Sequence, residues 1–178
     1  LILICAFLLR FPGLFWGELW TENYDVLEPD ENVHLAISIE FMQKLDASLF
    51  EDYHPERLNV PGYGVQLGII GLPFMKWQGS DYKTLVILAR LLSIFYSLAL
   101  IFITYKISCH IFQNKDIGLW AAFLLSIFDL NVTYSHYGIP DIPYVFWAYL
   151  SLYLILKFFK RVDFRSFEQN IFHTKRDF

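Results

Sequence analysis

The chain has 178 residues, of which 56% are apolar and 19% aromatic, and its mean hydropathy is +0.39. Soluble domains are usually about 45–50% apolar, so a lipid bilayer is the expected solvent. The formal net charge of −4 argues against nucleic acid as a partner, because nucleic-acid-binding proteins need a basic face to release counterions from phosphates.

The first apolar run, Leu1–Trp16, contains only one charged residue, Arg10. It predicts the end of a first membrane helix that is broken by Pro12-Gly13 where it leaves the lipid. Because the sequence opens inside this run and without a methionine, we expect an N-terminal fragment of a longer protein. A signal peptide is the alternative, although no basic n-region or small-residue cleavage pattern accompanies the run.

Three further apolar runs predict membrane helices. Leu85–Ile107 has 23 residues, which is long enough to cross about 30 Å of hydrocarbon with some tilt. Ile117–Val132 and Ile142–Phe159 predict two more helices, joined by a tight turn at Thr133–Asp141. The predicted fold class is therefore an all-α membrane protein with about four transmembrane helices.

The segment between the first two predicted helices, Gly17–Thr84, has 68 residues, with twelve acidic side chains against four basic ones. A connection this long is expected to be functional. The second connection and residues 160–178 are instead basic. By the positive-inside rule the basic segments are cytoplasmic, so Gly17–Thr84 and the Thr133–Asp141 turn are predicted to be external. The basic residues are Lys106, Lys115, Lys157, Lys160, Arg161 and Arg165.

The long acidic segment contains two apolar patterns of its own. The first has Leu at 35, 45 and 49, Ile at 39 and Met at 42, which is the spacing of an amphipathic helix lying on the bilayer surface. The second, Tyr63–Met75, is rich in glycine and only about 13 residues long, too short to span a bilayer, so it predicts an interfacial or re-entrant segment.

Candidate functional residues lie on the predicted external face. Pro29-Asp30-Glu31 marks a helix start, where carboxylates stabilise the macrodipole, and helix capping is one interpretation of both acids. Asp141, in Asp141-Ile142-Pro143, is also a candidate N-cap. The alternative is catalysis, because acids beside a bilayer are costly and usually functional. The Arg90 side chain is expected either to bind a phosphate through its guanidinium group or to extend to the lipid headgroups.

Metal ligation is a further alternative. Glu31-x-x-His34 and Glu51-x-x-His54 both have the spacing that binds two metal ions in helical bundles, but Pro55 follows the second copy and no sustained helical pattern surrounds it. Asp129, inside the third predicted helix, is an intramembrane acid that could pair with an arginine or a lysine.

Four sequence elements, in their order and spacing, resemble the GT-C superfamily of integral-membrane glycosyltransferases, in particular the protein O-mannosyltransferases and their aminoarabinose-transferase-like relatives. Pro29-Asp30-Glu31 is followed by Val33-His34, with Asn32 as an insertion relative to the mannosyltransferases, and Tyr53-His54-Pro55 resembles a His-Pro element in which Glu56 replaces a second proline. Ala89-Arg90-Leu91-Leu92 and Ser135–Asp141 complete the set, with His136 in place of the usual arginine.

The resemblance implies transfer of a sugar from a polyprenyl-phosphate donor to an acceptor hydroxyl on the external or lumenal face, with inversion at the anomeric carbon. It implies Asp30, Glu31 and Asp141 as catalytic residues, Arg90 as donor-phosphate ligand, and His34, His54 and His136 as substrate contacts. The acceptor is a protein, lipid or glycan, and a divalent metal ion is an optional cofactor.

The expected location is the plasma membrane of a prokaryote or the endoplasmic reticulum of a eukaryote. A transporter or non-catalytic membrane scaffold is the alternative function. Transporters carry their polar groups near the midplane in broken helices, whereas the acids of this chain cluster at the predicted outer mouth.

Overall fold

The computed structural model describes residues 1–15, 29–51, 62–79 and 81–161, and these residues form helices and turns without a strand. The predicted all-α class is confirmed for this part of the chain. The elements are α1 (Ile2–Arg10), a 3-10 helix (Phe11–Phe15), α2 (Pro29–Leu45), α3 (Tyr63–Gln78), α4 (Tyr82–Phe112), α5 (Lys115–Ile127), α6 (Asp129–Tyr134) and α7 (Asp141–Arg161).

Two of the described helices are long and apolar enough to cross a membrane, namely α4 and residues Asp141–Phe159 of α7. The apolar stretch Ile2–Phe15 is shorter. A membrane location agrees with these two helices, and the expected number of four spans stays a prediction.

The longest helix, α4, is central, and α1, α3, α5 and α7 all contact it. Its start is capped by Asp81, whose carboxylate accepts hydrogen bonds from the backbone N–H groups of Lys83 and Thr84 at 3.3 and 3.0 Å. Its end is Gln113, in the left-handed conformation typical of helix C-termini. The helix therefore extends beyond the predicted Leu85–Ile107, because polar residues at both ends continue it outside the apolar run.

The third predicted helix, Ile117–Val132, is not continuous as expected. It is broken at Phe128, whose ψ of 120° is extended, so that α5 ends at Ile127 and α6 begins at Asp129. No proline or glycine lies near this break in the sequence. Asp129 is exposed in the first turn of α6 and accepts a hydrogen bond from the Thr133 hydroxyl at 3.5 Å. Within the described residues its expected pairing with an arginine or lysine is absent.

The apolar face of α2, expected to contact the bilayer, is largely buried by protein instead, whereas the position of this helix relative to the membrane stays a prediction. Leu35, Ile39 and Met42 are fully buried in one cluster with residues of α3 and α4. Leu45, predicted on the same face, is 57% exposed, whereas Ser38, which is not part of the predicted apolar pattern, is completely buried. The amphipathic pattern was thus correct for a helix, but α3 and α4 supply the apolar surface it packs against.

Close approach between α2 and α3 depends on glycines of α3. A Cβ on Gly64 would lie 2.7 Å from Cβ of Ile37, and one on Gly68 would lie 2.8 Å from the Phe41 ring. Small residues four apart allow helix backbones to approach closely, as in membrane helix pairs. The glycine-rich stretch predicted as interfacial is therefore a helix that holds α2 beside α4.

Candidate functional site

Five segments lie close together near the N-terminal end of α4. They are the 3-10 helix, the starts of α2, α3 and α7, and residues 135–140 between α6 and α7. The 3-10 helix, α2, α3 and residues 135–140 all contact the first half of α4, which carries Ala89, Arg90 and Ser93. Most of the predicted site residues are thereby gathered into one region, which has a buried layer and an exposed rim.

The buried layer is built on an ion pair between Glu31 of α2 and Arg90 of α4. The Arg90 Nε atom donates to Oε1 of Glu31 and its Nη2 atom donates to Oε2, both at 2.9 Å. Both side chains are buried, with 0% and 1% of the surface exposed. A bidentate pair of this kind is geometrically specific, and removing one partner of such a pair typically costs about 3–5 kcal/mol.

The backbone of residues 135–140 completes this layer. The Gly138 N–H group donates to Oε1 of Glu31 at 2.7 Å, and the Leu14 carbonyl lies 3.5 Å from Nη1 of Arg90. A Cβ on Gly138 would lie 2.5 Å from Cβ of Ala89, so a glycine is required for this approach. One carboxylate therefore ties α2 to α4 and to the segment that precedes α7.

The exposed rim contains the other two predicted carboxylates, Asp30 and Asp141, each in the first turn of its helix. The charges of both acids affect the pKa of His34, which also lies on α2. Burial lowers the pKa of the His34 imidazole below its ordinary value, while the nearby charges of Asp30 and then Asp141 raise it. Asp30 and Asp141 thus both lie near enough to His34 for their charges to act on it.

The imidazole of His34 is partly buried against Tyr63, with ring centroids 5.8 Å apart and an angle of 80° between the planes. Its Nδ1 atom is buried and has no hydrogen-bond partner among the described residues. The Tyr63 hydroxyl donates to the Ala89 carbonyl at 2.8 Å and lies 3.2 Å from the Ser93 hydroxyl. Sequence reasoning missed Tyr63 and Ser93, since neither belongs to a charged or motif-like pattern.

His136 lies in the buried layer, with 8% of its surface exposed. Its ring fills the space above Gly13, where a Cβ would lie 2.1 Å from Cδ2 of the histidine. Burial lowers the pKa of His136, a backbone hydrogen bond with Leu9 raises it, and the charges of Arg10 and Arg90 lower it again. The third predicted histidine, His54, lies outside the described residues.

A metal site is not assembled by the described part of the chain, where no three histidine, cysteine or acidic side chains form a group that could hold an ion. Both carboxylate oxygens of Glu31 already accept hydrogen bonds from Arg90 and Gly138. In the structure Glu31 is thus engaged by Arg90 and Gly138, and the divalent ion stays a prediction.

Residues 63–172 match the family model described as dolichyl-phosphate-mannose-protein mannosyltransferase. The chain belongs to this family. A relative from Aquifex aeolicus (strain VF5), described as an uncharacterized protein, is 28% identical over 166 residues, which is 90% of this chain and 30% of that protein. The chain therefore spans about 30% of the length of the relative it matches. No solved structure matches the chain.

The dolichyl-phosphate-mannose-protein mannosyltransferase family match confirms the resemblance derived from the motifs. It includes Arg90, Gly138 and Asp141, whereas Asp30 and Glu31 precede its first residue. The ion pair and the Gly138 contact are thus the physical link between the matched region and the acidic pair on α2.

Proposed function

We propose that this chain is part of a glycosyltransferase that moves a mannose-type sugar from a polyprenyl-phosphate donor to an acceptor hydroxyl on the external or lumenal face of a membrane. The proposal is supported by the family membership and by an exposed carboxylate, Asp30, at the edge of a rigid buried layer. The acceptor is a hydroxyl of a protein, lipid or glycan.

Asp30 is the proposed general base. An acceptor hydroxyl is a weak nucleophile, and a carboxylate within hydrogen-bond reach can take its proton as the anomeric bond breaks. Asp30 is exposed, so an acceptor can reach it, while the next residue along α2 is anchored through both carboxylate oxygens. Asp141 and His34, which lie near Asp30, are proposed to orient the sugar or the acceptor.

Glu31 and Arg90 are proposed to act as a pair. Glu31, one of the three residues predicted to be catalytic, is proposed to fix the start of α2 and so to position Asp30. The phosphate of the departing lipid needs positive charge where negative charge develops, and Arg90 remains the proposed source. Because Nε and Nη2 donate to Glu31 and Nη1 contacts the Leu14 carbonyl, binding the phosphate requires rearrangement of at least one of these contacts.

Four membrane crossings are proposed: Leu1–Phe15, α4, α5 together with α6, and α7. With alternating direction, the starts of α2, α4 and α7 and the 135–140 segment then share the external face, and the connection between α4 and α5 is cytoplasmic. The membrane is the plasma membrane in a prokaryote or the endoplasmic reticulum in a eukaryote.

The test is sugar transfer by the full-length protein in liposomes supplied with polyprenyl-phosphate mannose, and in parallel with a nucleotide-linked mannose. We expect transfer from the lipid-linked donor alone, measured with and without EDTA to decide whether a divalent ion is needed. Absence of transfer from every lipid-linked sugar, together with sugar passage across the liposome membrane, would favour the transporter alternative.

A further inference from the structure

Arg10 is a fully buried arginine that the proposed reaction does not use. It is the last residue of α1, and none of its surface is exposed. Its Nε atom donates to the Ser97 hydroxyl at 2.7 Å, and Ser97 is the sixteenth of the 31 residues of α4. The guanidinium therefore lies halfway along a helix long enough to cross a bilayer, where arginine is rare and usually functional.

No acid neutralises this charge among the described residues, since the ion pairs found there join other side chains. The partners of Arg10 are instead helix-end carbonyls. Its Nη1 atom donates to the carbonyl of Ala6 at 2.8 Å, four residues before the end of α1, and to that of Ser126 at 3.1 Å, in the last turn of α5. Two helix C-termini thus present their negative ends to one cation.

The Ser126 carbonyl needs a partner because the chain breaks at Phe128. In a continuous helix each carbonyl accepts from the N–H group four residues later, and this pattern stops at the end of α5. Ser126 receives Arg10 instead, and the Leu125 carbonyl receives the Phe128 N–H group and the Asn131 side chain at 3.4 and 3.2 Å. Unsatisfied backbone groups are costly in a membrane and are usually satisfied by neighbouring helices or side chains.

The network continues into α6. The Ser97 hydroxyl, which accepts from Arg10, donates to the side-chain oxygen of Asn131 at 3.0 Å. Asn131 is 4% exposed and belongs to the six-residue helix that leads directly to residues 135–140. Arg10, Ser97 and Asn131 therefore connect α1, α4, α5 and α6 at the break.

We propose that Arg10 is a positioning residue: it caps the broken end of α5 and so fixes the segment that delivers the Gly138 N–H group to Glu31 and starts α7 at Asp141. The link to the site runs through α6 and has a fixed length, because only the residues from Ser135 to Pro140 separate α6 from α7. The role in turnover rests on the proposed function, while the capping role does not.

The experiment compares the full-length protein with Arg10→Met, Arg10→Lys and Ser97→Ala by amide hydrogen exchange and by sugar-transfer kinetics. In Arg10→Met we expect exchange of amides 128–138 to accelerate by about tenfold or more, with unchanged exchange in α7. We also expect kcat to fall by about 10²-fold with little change in donor KM, since small misplacements of reacting groups have effects of this size.

Arg10→Lys should recover part of both losses, because an ammonium can donate to a carbonyl but lacks the planar fork. The amide exchange rates and kcat of Ser97→Ala should lie between those of Arg10→Lys and of the wild type. Thr104→Val is the control, since the Thr104 hydroxyl is buried on the same helix without a partner among the described residues, and we expect it to match wild type.

Unchanged exchange in Arg10→Met overturns the proposal, and so does a uniform increase over the whole chain, which would indicate a general role in folding. Local acceleration with wild-type kcat overturns the positioning role. If the wild-type protein transfers no sugar, the proposed reaction fails, and the exchange measurement alone then decides whether Arg10 caps α5.

Discussion

Asp30 and Glu31 are adjacent in sequence and similar in chemistry, yet they occupy opposite environments. A helix turns by about 100° per residue, so the start of α2 directs Glu31 into protein and leaves Asp30 exposed. The same geometry separates their proposed roles, because a carboxylate whose oxygens are both engaged cannot readily accept a further proton, whereas an exposed one can.

Replacing Asp30 by asparagine should lower turnover by about 10²–10⁴-fold, because the amide cannot accept the proton of the acceptor. Stability should stay near wild type, since the loss of an exposed carboxylate charge from the first turn of a helix costs only about 0.3–1 kcal/mol. The measurement is sugar transfer by the full-length protein, normalised to membrane-inserted protein, together with its thermal unfolding midpoint.

Asp81→Asn is the matched control, because Asp81 is an exposed acid whose contacts are those of a helix cap. Glu31→Gln should lower turnover and unfolding midpoint together, since it weakens a buried ion pair. Wild-type turnover in Asp30→Asn would remove Asp30 as the base, and loss of turnover without loss of stability in Glu31→Gln would move that role to Glu31.

Arg90→Lys should be more harmful than its conserved charge suggests. An ammonium cannot make two parallel hydrogen bonds to the Glu31 carboxylate, so both the unfolding midpoint and transfer should fall. Kinetics can distinguish the two proposed roles of Arg90, as a ligand of the donor phosphate and as the ion-pair partner of Glu31. A raised KM for the donor in Arg90→Lys would support contact with the phosphate. An unchanged donor KM with a lowered midpoint would leave Arg90 as the partner of Glu31 only.

The positions of most helices could be predicted from patterns in the sequence. Periodicity and helix-start signals predicted helices near the observed positions, and α2 begins at Pro29, where the sequence indicates a start. The break at Phe128 was not predictable, because the residues that stabilise it, Arg10 and Ser97, come from other helices. Likewise, the pattern of α2 could not distinguish lipid from α3 as the surface that covers its apolar face.

The α2–α3 pair gives a test at this scale. Gly64→Ala would place a Cβ 2.7 Å from Ile37 Cβ and 2.8 Å from the His34 carbonyl oxygen, and backbone cannot move aside as a side-chain tip can. We expect a loss of about 1–3 kcal/mol in stability, as for other overpacked cores, together with lower transfer, because α2 carries Asp30.

Gly71→Ala is the control for that variant. Its Cβ would lie 3.3 Å from the flexible Leu85 Cδ1 atom, which can give way, so its unfolding midpoint should be close to wild type. Equal midpoints for Gly64→Ala and wild type would show that α2 and α3 do not approach as closely as the structure indicates.

At the scale of the whole molecule, the site is an assembly of chain segments that are far apart in sequence. Glu31 and Arg90 are 59 residues apart, and Glu31 and Gly138 are 107 apart. The family resemblance identified these residues as important, but neither spacing nor periodicity could predict that they contact each other. Most of α7 is exposed apolar surface, including Trp147 and Phe158, which suits contact with lipid or with further helices.

The orientation of this assembly in the membrane follows from charge. Because Gly17–Thr84 has an excess of acids, whereas Lys106 and Lys115 flank the α4–α5 connection, the rim with Asp30 and Asp141 should face outward. Single cysteines at positions 51, 115 and 141, each exposed in the structure, can test this in the full-length protein after Cys5 and Cys109 have been replaced.

In intact cells, a membrane-impermeant thiol reagent should label cysteines at positions 51 and 141 but not at position 115, which should react only after permeabilisation. Agreement between positions 51 and 141 is the stricter requirement, because α4, α5 with α6 and their connection lie between them, and only an even number of crossings returns the chain to the same face. Labelling of position 115 alone would reverse the orientation. Labelling of position 51 without position 141 would show that α5 and α6 together do not cross, and the four-span arrangement would then be wrong even if the external location of α2 were right.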